Sequence, residues 1–370
     1  MRLGFALEYS LGHTTHAQNL KRVLQDRPDI LSTYIDLPYD GMTGAWTRLP
    51  GVRSNWSLRA SLGAWLGLRG QAKYLDGALF HTQVTSLFSA GLMRRLPSVI
   101  SLDATPLQYD ALGAFYGHAP SGSARIEAFK KRLNQRAFGA ARHLVTWSEW
   151  AKDSLADDYG VPRDKVTVIP PGIDTARWNF DRSARPPGPV TLLFVGGDFE
   201  RKGGDTLLDA FARLPSSLGV QLNIVTKTSF SGNNLPGVTV WHDVKPNSEP
   251  LLRLFAQADL FVFPTRGDCL PLAVMEALAA GLPVVTTTVG ALPEAVTHGE
   301  TGWIVPPDDP AALADALIGL ASDASLRARL SVQARAAGRE RFDAKKNYYR
   351  LLETIRLVGM IPAYESVWDM

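Results

Sequence analysis

The sequence predicts an α/β protein with two doubly wound, Rossmann-like domains that face each other across a cleft. Short apolar runs alternate with amphipathic stretches, which is the pattern of parallel sheets covered by helices. The pattern occurs twice, and the proline-rich stretch 185–189 separates the two occurrences as a surface linker. The length of 370 residues also exceeds what one ordinary hydrophobic core needs.

The first occurrence contains six short apolar runs that we interpret as strands. An amphipathic stretch begins near Thr15, and a helix at Ala151–Tyr159 is ended by Gly160 and Pro162. The six predicted strands are Leu3–Leu7, Ile30–Ile35, Ala78–His81, Ser98–Leu102, His143–Thr146 and Val166–Ile169.

The second occurrence repeats the alternation. The helix at Pro271–Ala280 stops at Gly281 with Pro283 shortly after, as helix ends prefer. In the helix at Thr206–Leu214, Leu207, Leu208, Phe211 and Leu214 share one face. Further strands are predicted at Val190–Val195, Gln221–Val225, Val238–Trp241, Leu260–Phe263 and Val284–Thr287, and further helices at Ala311–Leu320, Ala324–Arg341 and Lys345–Leu357.

Charge and cysteine content narrow the class of protein. The net charge of +3 is too small to indicate a nucleic-acid partner, although residues 1–150 hold 17 basic against 10 acidic residues. A basic half suits a phosphorylated substrate or an anionic membrane surface, or is a solvated basic face. Cys269 is the single cysteine, so no intrachain disulfide is expected. With no signal peptide or spanning segment recognised, we expect a cytoplasmic protein.

The strongest functional signal lies at residues 261–285, where a strand, a polar loop and a helix follow one another. Unpaired N–H groups and aligned dipoles at a helix start attract a phosphate or the oxygens of a sugar. Asp268 precedes this helix and Glu276 lies about one and a half turns inside it. A carboxylate accepts two hydrogen bonds from neighbouring hydroxyls, as in ribose or hexose binding. The alternative for Asp268 is a plain helix N-cap.

A second signal lies at residues 194–211, where a Gly-rich loop containing Arg201, Lys202, Gly203 and Gly204 joins a strand to a helix. This arrangement favours anion binding. It matches neither a Walker loop nor the G-x-G-x-x-G fingerprint, so ATPases and ordinary dehydrogenases lose their best support. The alternative is a solvated Arg-Lys pair.

These segments resemble the family-4 retaining glycosyltransferases of the GT-B fold, the glycosyl transferases group 1. The family signature is Glu, seven residues, Glu, an Ala-rich helix and Gly-x-Pro-Val-Val. Glu276 matches the second Glu, which the resemblance implies binds the ribose of the donor. Asp268 replaces the first, which contacts the donor sugar together with the backbone at Cys269, Leu270 and Pro271. Pro271 has no N–H, so only the other two can donate.

The resemblance also implies where the donor diphosphate binds. The family uses a Gly-Arg…Lys-Gly loop, in which Lys202 matches the lysine and Gly197 stands where the arginine is expected. Arg201 is then the candidate for the second cation. The segment 168–174 resembles the connector between the domains.

Three further positions follow from the same resemblance. Gly12, in the first strand–loop–helix, would let the backbone approach the donor or the acceptor. Gly290 is expected close to the donor, and Glu294 is expected to begin a helix. Asp103 stands where the family often has a histidine near the donor sugar, and it either contacts the sugar or caps a turn.

The implied function is retaining transfer of a sugar from a nucleotide-diphosphate sugar to a hydroxyl acceptor, which is a glycan, a lipid-linked sugar or a small molecule. Residues 1–170 would bind the acceptor, 171–345 the donor, and 346–370 would form a helix that crosses back to the N-terminal domain. No Asp-x-Asp ends an apolar strand and no His/Cys cluster has ligand spacing, so no metal and no cofactor beyond the co-substrate are expected. Lys202, Arg201 and the helix dipole would stabilise the departing diphosphate.

Other activities stay open at this point. A nucleotide-sugar 2-epimerase or a sugar phosphorylase uses the same fold, and a non-catalytic nucleotide-sugar-binding protein would explain the departures at Asp268 and Gly197. Single histidines near the predicted loops, namely His13, His16, His81 and His118, are more typical of structure than of catalysis.

Residues 46–73 combine aromatic and basic side chains and suggest a hypothesis of peripheral contact with an anionic membrane at the inner face. The alternative is a helix packed on its own sheet with its arginines outward. The residues concerned are Trp46, Trp56, Leu62 and Trp65, interleaved with Arg48, Arg53, Arg59, Arg69 and Lys73.

Overall fold

A computed structural model describes residues 1–10, 12–117, 119, 121–180, 188–230 and 235–360. The chain divides into two compact units. Unit 1 comprises Met1–Gln108, Pro120–Pro170 and the chain from Lys345, and unit 2 comprises Tyr109–Ala119 and Pro171–Ala344. Each unit contains one parallel sheet with helices, so the α/β prediction is confirmed.

The described helices and strands follow one another in strict alternation over most of the chain. In the first 170 residues the strands are β1 (Arg2–Tyr9), β2 (Leu31–Pro38), β3 (Gly77–His81), β4 (Ser98–Leu102), β5 (His143–Thr146) and β6 (Val166–Val168). The helices between them are α1 (His13–Gln25), α2 (Trp56–Arg69), α3 (Ala90–Met93), α4 (Pro106–Ala111), α5 (Ala124–Ala140) and α6 (Glu149–Tyr159).

The remainder of the chain continues the alternation and ends in three successive helices. The strands are β7 (Thr191–Val195), β8 (Gln221–Val225), β9 (Val238–Trp241), β10 (Leu260–Phe263), β11 (Val284–Thr287) and β12 (Gly302–Val305). The helices are α7 (Gly204–Phe211), α8 (Glu249–Gln257), α9 (Leu272–Ala279), α10 (Leu292–Ala295), α11 (Pro310–Ser322), α12 (Ala324–Arg341) and α13 (Ala344–Met360).

Apolar strands form the centre of each unit. All residues of β3, β4, β10 and β11 are buried, because a parallel sheet in an α/β fold is covered on both faces. The helices contribute apolar faces to the same cores: Leu207, Leu208 and Phe211 of α7 pack with Leu313 and Leu317 of α11. Burial of such side chains stabilises the fold by about 1.5–3 kcal/mol each.

The strand order places a crevice in each unit. The order is β2-β1-β3-β4-β5-β6 in unit 1 and β12-β11-β10-β7-β8-β9 in unit 2. In unit 1 the chain continues from β1 to one side of the sheet and from β3 to the other, so the switch point lies between these two strands. In unit 2 the switch point lies in the same way between β7 and β10. Ligands of open α/β sheets bind at such switch points, outside the carboxyl ends of the strands. In unit 2 these ends carry the loops that follow Val195 and Phe263, which are the two loops singled out from the sequence.

Several sequence expectations need correction. Helix α1 begins at His13 and not near Thr15, and Glu294 lies inside α10 and does not begin it. Leu214 lies beyond the end of α7, although it still packs against the core. The strand β12 and the helices α3, α4, α5 and α8 were not predicted. His118 and positions 185–187 of the predicted linker lie outside the described residues.

No helix in the described ranges combines the length and the apolar character that a membrane crossing requires. Trp46, Trp56, Leu62 and Trp65 are partly buried. Trp46 packs beside Gly63 of α2, and the indole N–H of Trp56 donates to Glu8 at 3.1 Å. The tryptophans at positions 46 and 56 are therefore engaged within unit 1.

Candidate functional site

The Gly-rich loop after β7 lies directly against the loop after β10. Gly203 has a φ of +75°, and a Cβ at this position would overlap the carbonyl oxygen of Pro264. Only glycine meets both conditions without strain. Gly197, by contrast, faces open space, and its carbonyl accepts a hydrogen bond from the Thr228 hydroxyl at 3.1 Å. The close approach at Gly203 brings the cations of the loop to Asp268.

Asp268 is the centre of a buried polar cluster. The Nζ atom of Lys202 lies 2.5 Å from one carboxylate oxygen and 2.6 Å from the other. The Thr265 hydroxyl donates to the same carboxylate at 2.8 Å, and the Arg201 guanidinium lies 3.4 Å away. Burial lowers the pKa of Lys202, while the charge of Asp268 opposes that shift. The sequence assigned these residues to different parts of one ligand, and the structure brings them into contact.

Arg201 is held in place from several sides. Its Nε donates to Asp198 at 3.0 Å, and one terminal nitrogen donates to the carbonyl of Gly267 at 2.6 Å. The ring of Tyr116 lies 4.4 Å from the guanidinium carbon, within cation–π distance. Burial disfavours the charge, but Asp268, Tyr116 and Asp198 outweigh it and the pKa is raised. Arg201 is thus a fixed cation.

The backbone after Asp268 is braced by the segment that follows β11. Gly290 has a φ of +56°, and a Cβ there would overlap the carbonyl oxygen of Asp268. The N–H of Ala291 donates to the carbonyl of Cys269 at 2.9 Å. Cys269 and Leu270 are buried. These contacts hold the loop at the start of α9.

The start of α9 is not capped by an acidic side chain. Pro271 occupies the N-cap position in an extended conformation, with no side-chain cap hydrogen bond. The carboxylate of Asp268 binds Lys202, Thr265 and Arg201 instead. The capping alternative for Asp268 is therefore wrong.

Glu276 is a buried carboxyl group on α9, with 8% of its surface exposed. No hydrogen-bond donor from the described parts of the chain reaches its side chain. Burial raises its pKa to about 8. A buried carboxylate is costly unless it is hydrogen-bonded, so this group is suited to hydroxyls supplied by a ligand.

The carboxyl edge of the unit 1 sheet carries a second polar cluster. The Nε2 atom of His13 lies 3.7 Å from a carboxylate oxygen of Asp103, and the two side chains are 16% and 21% exposed. The other oxygen of Asp103 accepts from the N–H of Ala104 at 2.9 Å. Burial raises the pKa of Asp103, His13 opposes that shift and Glu8 reinforces it. Gly12, just before His13, has open space around it and a φ of −65°, which any residue adopts.

Two further histidines, His81 and His16, pack in the same cluster as His13. Its Nδ1 lies 3.1 Å from Nε2 of His81, and the ring of His81 stacks on that of His16 at 4.2 Å. Nδ1 of His16 lies 3.1 Å from the Tyr348 hydroxyl. Burial lowers the pKa of His16 to about 3 and that of His81 well below 6.5. Both rings are therefore neutral near pH 7.

The protonation of this chain of imidazoles follows from its partners. Nδ1 of His81 is buried and has no partner in the described residues. A buried N–H without an acceptor is rarer than a buried lone pair without a donor, so the proton of His81 belongs on Nε2. His81 then donates to Nδ1 of His13, which leaves Nε2 of His13 to carry the proton of that ring. That N–H lies beside Asp103.

Sequence reasoning missed several residues of these clusters. Thr265 is three positions before Asp268, and the Thr-x-x-Asp spacing after a strand was an available signal. Tyr116 had no local signal, because it meets Arg201 only through the segment Tyr109–Ala119, which belongs to unit 2. Glu8 is the penultimate residue of β1 and is buried, and its carboxylate accepts hydrogen bonds from the Ser10 hydroxyl at 2.5 Å and from the Thr82 hydroxyl.

Metal-type side chains do not assemble in these clusters. Across the ranges that the structure describes, no three His, Cys, Asp or Glu side chains form a group able to hold an ion.

Two family models match the chain. Residues 11–177 match the model of Glycosyltransferase Family 4, and residues 189–323 match that of Glycosyl transferases group 1. A D-inositol 3-phosphate glycosyltransferase of Pseudarthrobacter chlorophenolicus is 33% identical over 208 residues, which is 51% of this chain and 49% of that protein. The matched region thus spans about half the length of this relative.

Solved structures agree in fold. Sucrose-phosphate synthase from Thermosynechococcus elongatus superposes with a TM-score of 0.75 at 17% identity, covering 97% of this chain and 99% of that one. The Anabaena protein HepE in complex with UDP-glucose gives a TM-score of 0.67 at 17% identity, covering 96% and 100%. At such identities the likeness concerns the fold, and it supports the GT-B class.

Proposed function

This chain belongs to the group 1 glycosyltransferases of family 4, and we propose that it transfers a sugar from a nucleoside diphosphate sugar to a hydroxyl acceptor, without a metal and with retention of the anomeric configuration. Unit 2 would bind the donor and unit 1 the acceptor. The observation that carries the proposal is the arrangement at the switch point of unit 2. Lys202 and Arg201 contact Asp268 in the loop before α9. The buried Glu276, which no described donor reaches, lies on α9 itself.

Glu276 and the two cations are suited to the two ends of a nucleotide. Because no described donor reaches the Glu276 carboxylate, the two ribose hydroxyls would supply the hydrogen bonds that its burial requires. The diphosphate would lie at Lys202 and Arg201, where charge-assisted hydrogen bonds to phosphate oxygens are strongest. HepE, which shares the fold, was crystallised with UDP-glucose, and this supports a ligand of the same class here.

Lys202 and Arg201 would do the work that a metal does in other transferases. A positive group aimed at the departing diphosphate stabilises the charge that develops there. Asp268 neutralises Lys202, so the ammonium would be shared between the carboxylate and the phosphate once the donor binds. The same contact holds Lys202 beside Asp268, which supports a joint role of the two residues at the donor.

The contacts of Asp268 favour attack from the face that the nucleotide leaves. Lys202 forms charge-assisted hydrogen bonds to both oxygens of Asp268, and this ion pair makes the carboxylate a weaker nucleophile. Thr265 occupies one oxygen further. Asp268 would therefore accept hydrogen bonds from ring hydroxyls and offset positive charge on the sugar, and it would not form a covalent intermediate.

In unit 1, His13 and Asp103 are arranged for a hydroxyl of the acceptor. The N–H on Nε2 of His13 and the free oxygen of Asp103 are 3.7 Å apart, too far for a hydrogen bond between them. A hydroxyl placed beside both would accept from His13 and donate to Asp103. The open backbone at Gly12 leaves room for such a ligand.

A panel of nucleoside diphosphate sugars tests the proposal. We expect one donor to raise the melting temperature, since a ligand at 100 times its Kd adds about 2.7 kcal/mol. With an acceptor panel and EDTA present, that donor should release nucleoside diphosphate, and proton NMR of the product should show the anomeric configuration of the donor. Inversion, dependence on a divalent cation, or conversion of the sugar at C2 without an acceptor would each contradict the corresponding part of the proposal.

A further inference from the structure

A cavity of about 230 Å³ opens in unit 1 after the end of β2. It lies between the loop that follows Pro38 and the start of α2, and three arginines converge on it. The residues that matter for its chemistry are Tyr39, Asp40, Thr47, Arg48, Arg53 and Arg59.

The charge of this cavity is strongly unbalanced. Three guanidinium groups line it, and Asp40 is the one carboxylate among the lining residues. No carboxylate within the described ranges forms an ion pair with Arg48, Arg53 or Arg59. Uncompensated cations that converge on a concave surface concentrate anions there, and an excess of two positive charges matches a phosphate monoester dianion.

Arg59 is fixed before any ligand binds. Its two terminal nitrogens donate to the carbonyls of Tyr39 at 2.8 Å and Arg53 at 3.0 Å. Its guanidinium carbon lies 5.5 Å from the centre of the Trp56 ring. The Nε atom is buried and has no hydrogen-bond partner in the described residues. Arg48 and Arg53 are exposed and can close on a ligand beside this fixed group.

The cavity lies at the same carboxyl edge of the unit 1 sheet as the cluster of His13 and Asp103. Tyr39 directly follows the last residue of β2, which pairs with β1 in parallel. Trp56 joins the two places, because its ring lies beneath Arg59 and its indole N–H donates to Glu8 at the carboxyl end of β1. A ligand at the switch point of unit 1 can therefore extend towards the arginines.

We infer that the arginine cavity binds a phosphate group carried by the acceptor, so that the acceptor of this enzyme is a phosphorylated hydroxyl compound. The inference rests on the proposed function, because it assumes that unit 1 holds the acceptor. Phosphate oxygens accept paired hydrogen bonds from the guanidinium fork, which gives orientation as well as affinity.

Direct binding is measured by calorimetry with myo-inositol 1-phosphate and with myo-inositol as its uncharged match. A saturating nucleoside diphosphate is present throughout, so that phosphate cannot report on Lys202 and Arg201. We expect the phosphorylated polyol to bind and its uncharged match to bind at least tenfold more weakly. Arg48→Gln and Arg53→Gln should each weaken the phosphorylated ligand about tenfold.

Two further substitutions serve as a control and as a change that should act in the opposite direction. Arg69→Gln removes a basic residue of α2 that stacks on Trp65 and does not line the cavity, and it should leave binding unchanged. Asp40→Asn removes the one carboxylate of the lining and should tighten phosphate binding several-fold. Equal affinity for both polyols, or equal losses in Arg48→Gln and Arg69→Gln, would overturn the inference.

Two further arms separate the remaining outcomes. Acetate at equal concentration should not compete, and competition equal to that of inorganic phosphate would overturn the choice of phosphate. In the contrary outcome, the wild-type protein co-sediments with phosphatidylglycerol vesicles, loses this binding in Arg48→Gln and fails to bind the soluble phosphorylated polyol. That result would overturn the assignment of a phosphorylated acceptor and would indicate a lipid surface as the ligand. Failure of the proposed function appears separately, as absence of donor turnover in the wild-type protein.

Discussion

The Nζ atom of Lys202 lies 2.5 Å and 2.6 Å from the two carboxylate oxygens of Asp268. The sequence interpretation assigned Lys202 to the donor diphosphate and Asp268 to the donor sugar. Because the two groups neutralise each other, the proposed donor would have to share both of them at once. The pair would then couple recognition of the phosphate to recognition of the sugar, and Asp268→Asn, Lys202→Met and Gly290→Ala test this coupling.

Asp268→Asn should lower kcat by about 10–1,000-fold, the range for removal of one preorganised electrostatic group. Its effect on KM should be smaller, because the lost interaction strengthens in the transition state. Steady-state kinetics measures both parameters. Asp209→Asn is the matched control, since Asp209 lies exposed on α7 of the same unit. Wild-type turnover in both Asp268→Asn and Asp268→Ser would remove the catalytic role, and Asp268→Glu restores the residue of the family signature.

Lys202→Met should weaken binding of the nucleoside diphosphate by about 10–100-fold, because a charge-assisted hydrogen bond contributes about 1.5–3 kcal/mol. Affinity for the uncharged nucleoside should change little. Calorimetry with both ligands measures the difference, and Lys245→Met, at an exposed lysine of the same unit, serves as the control. Equal losses for the nucleoside and the diphosphate would contradict the assignment.

Glu276 should release a proton when nucleotide binds near pH 7. Burial raises its pKa to about 8, so the free site holds it mostly protonated. Two donating ribose hydroxyls favour the carboxylate and lower that pKa. Calorimetry in buffers of different ionisation enthalpy counts the proton, and Glu276→Gln should abolish it. Glu276→Ala should weaken nucleotide binding about 10–100-fold. Unchanged nucleotide affinity in a folded Glu276→Ala variant would contradict the assignment of Glu276 to the ribose.

The same group should make the protein less stable as pH rises. The folded pKa of about 8 lies above the unfolded value near 4.5, so between these values the native state binds more protons than the unfolded state. The free energy of unfolding therefore falls across this window. Relative to wild type, Glu276→Gln should gain stability between pH 5 and pH 8, on the order of a few kcal/mol. Parallel pH profiles from urea unfolding would contradict this.

Gly290→Ala should destabilise unit 2 and displace the loop at Asp268. Its φ of +56° strains any Cβ, and here that atom also overlaps the Asp268 carbonyl oxygen. Gly299→Ala has a φ of +77° with nothing within 4 Å of the added atom, so it isolates the backbone cost of about 1 kcal/mol. Gly290→Ala should cost clearly more in urea unfolding and should lower donor affinity. Equal effects of the two substitutions would show that the contact with Asp268 is unimportant.

Asp103→Asn should raise KM for the acceptor while slow donor hydrolysis continues. The amide cannot accept at both positions as the carboxylate does, so the hydroxyl between His13 and Asp103 loses a partner. Asp76→Asn is the control, because Asp76 binds the N–H of Arg2, at the amino end of the same sheet. A change confined to donor KM would place Asp103 on the sugar of the donor.

Local sequence patterns predict much of the fold. Five strands of the second half and four of the first were predicted within one residue at each end or better, because short apolar runs between turn residues suit strands buried on both faces. The strand Gly302–Val305 was missed because Gly302 at its start limits the apolar run to three residues. Helix α5 was missed because polar and basic residues dominate it, and its buried face is only Asn134, Ala137 and Phe138.

The sequence by itself determined which residue types stand at the two loops of unit 2, since the spacing of Asp268 from Glu276 and the Arg-Lys-Gly-Gly run are local features. Only the tertiary structure decided which of them meet. Gly203 against Pro264 brings Lys202 to Asp268 across 66 positions of chain. Likewise His13, His81 and Asp103 come together only at the edge of the unit 1 sheet. Strand order sets these contacts, and it depends on how whole sheets bury their faces, which no local pattern encodes.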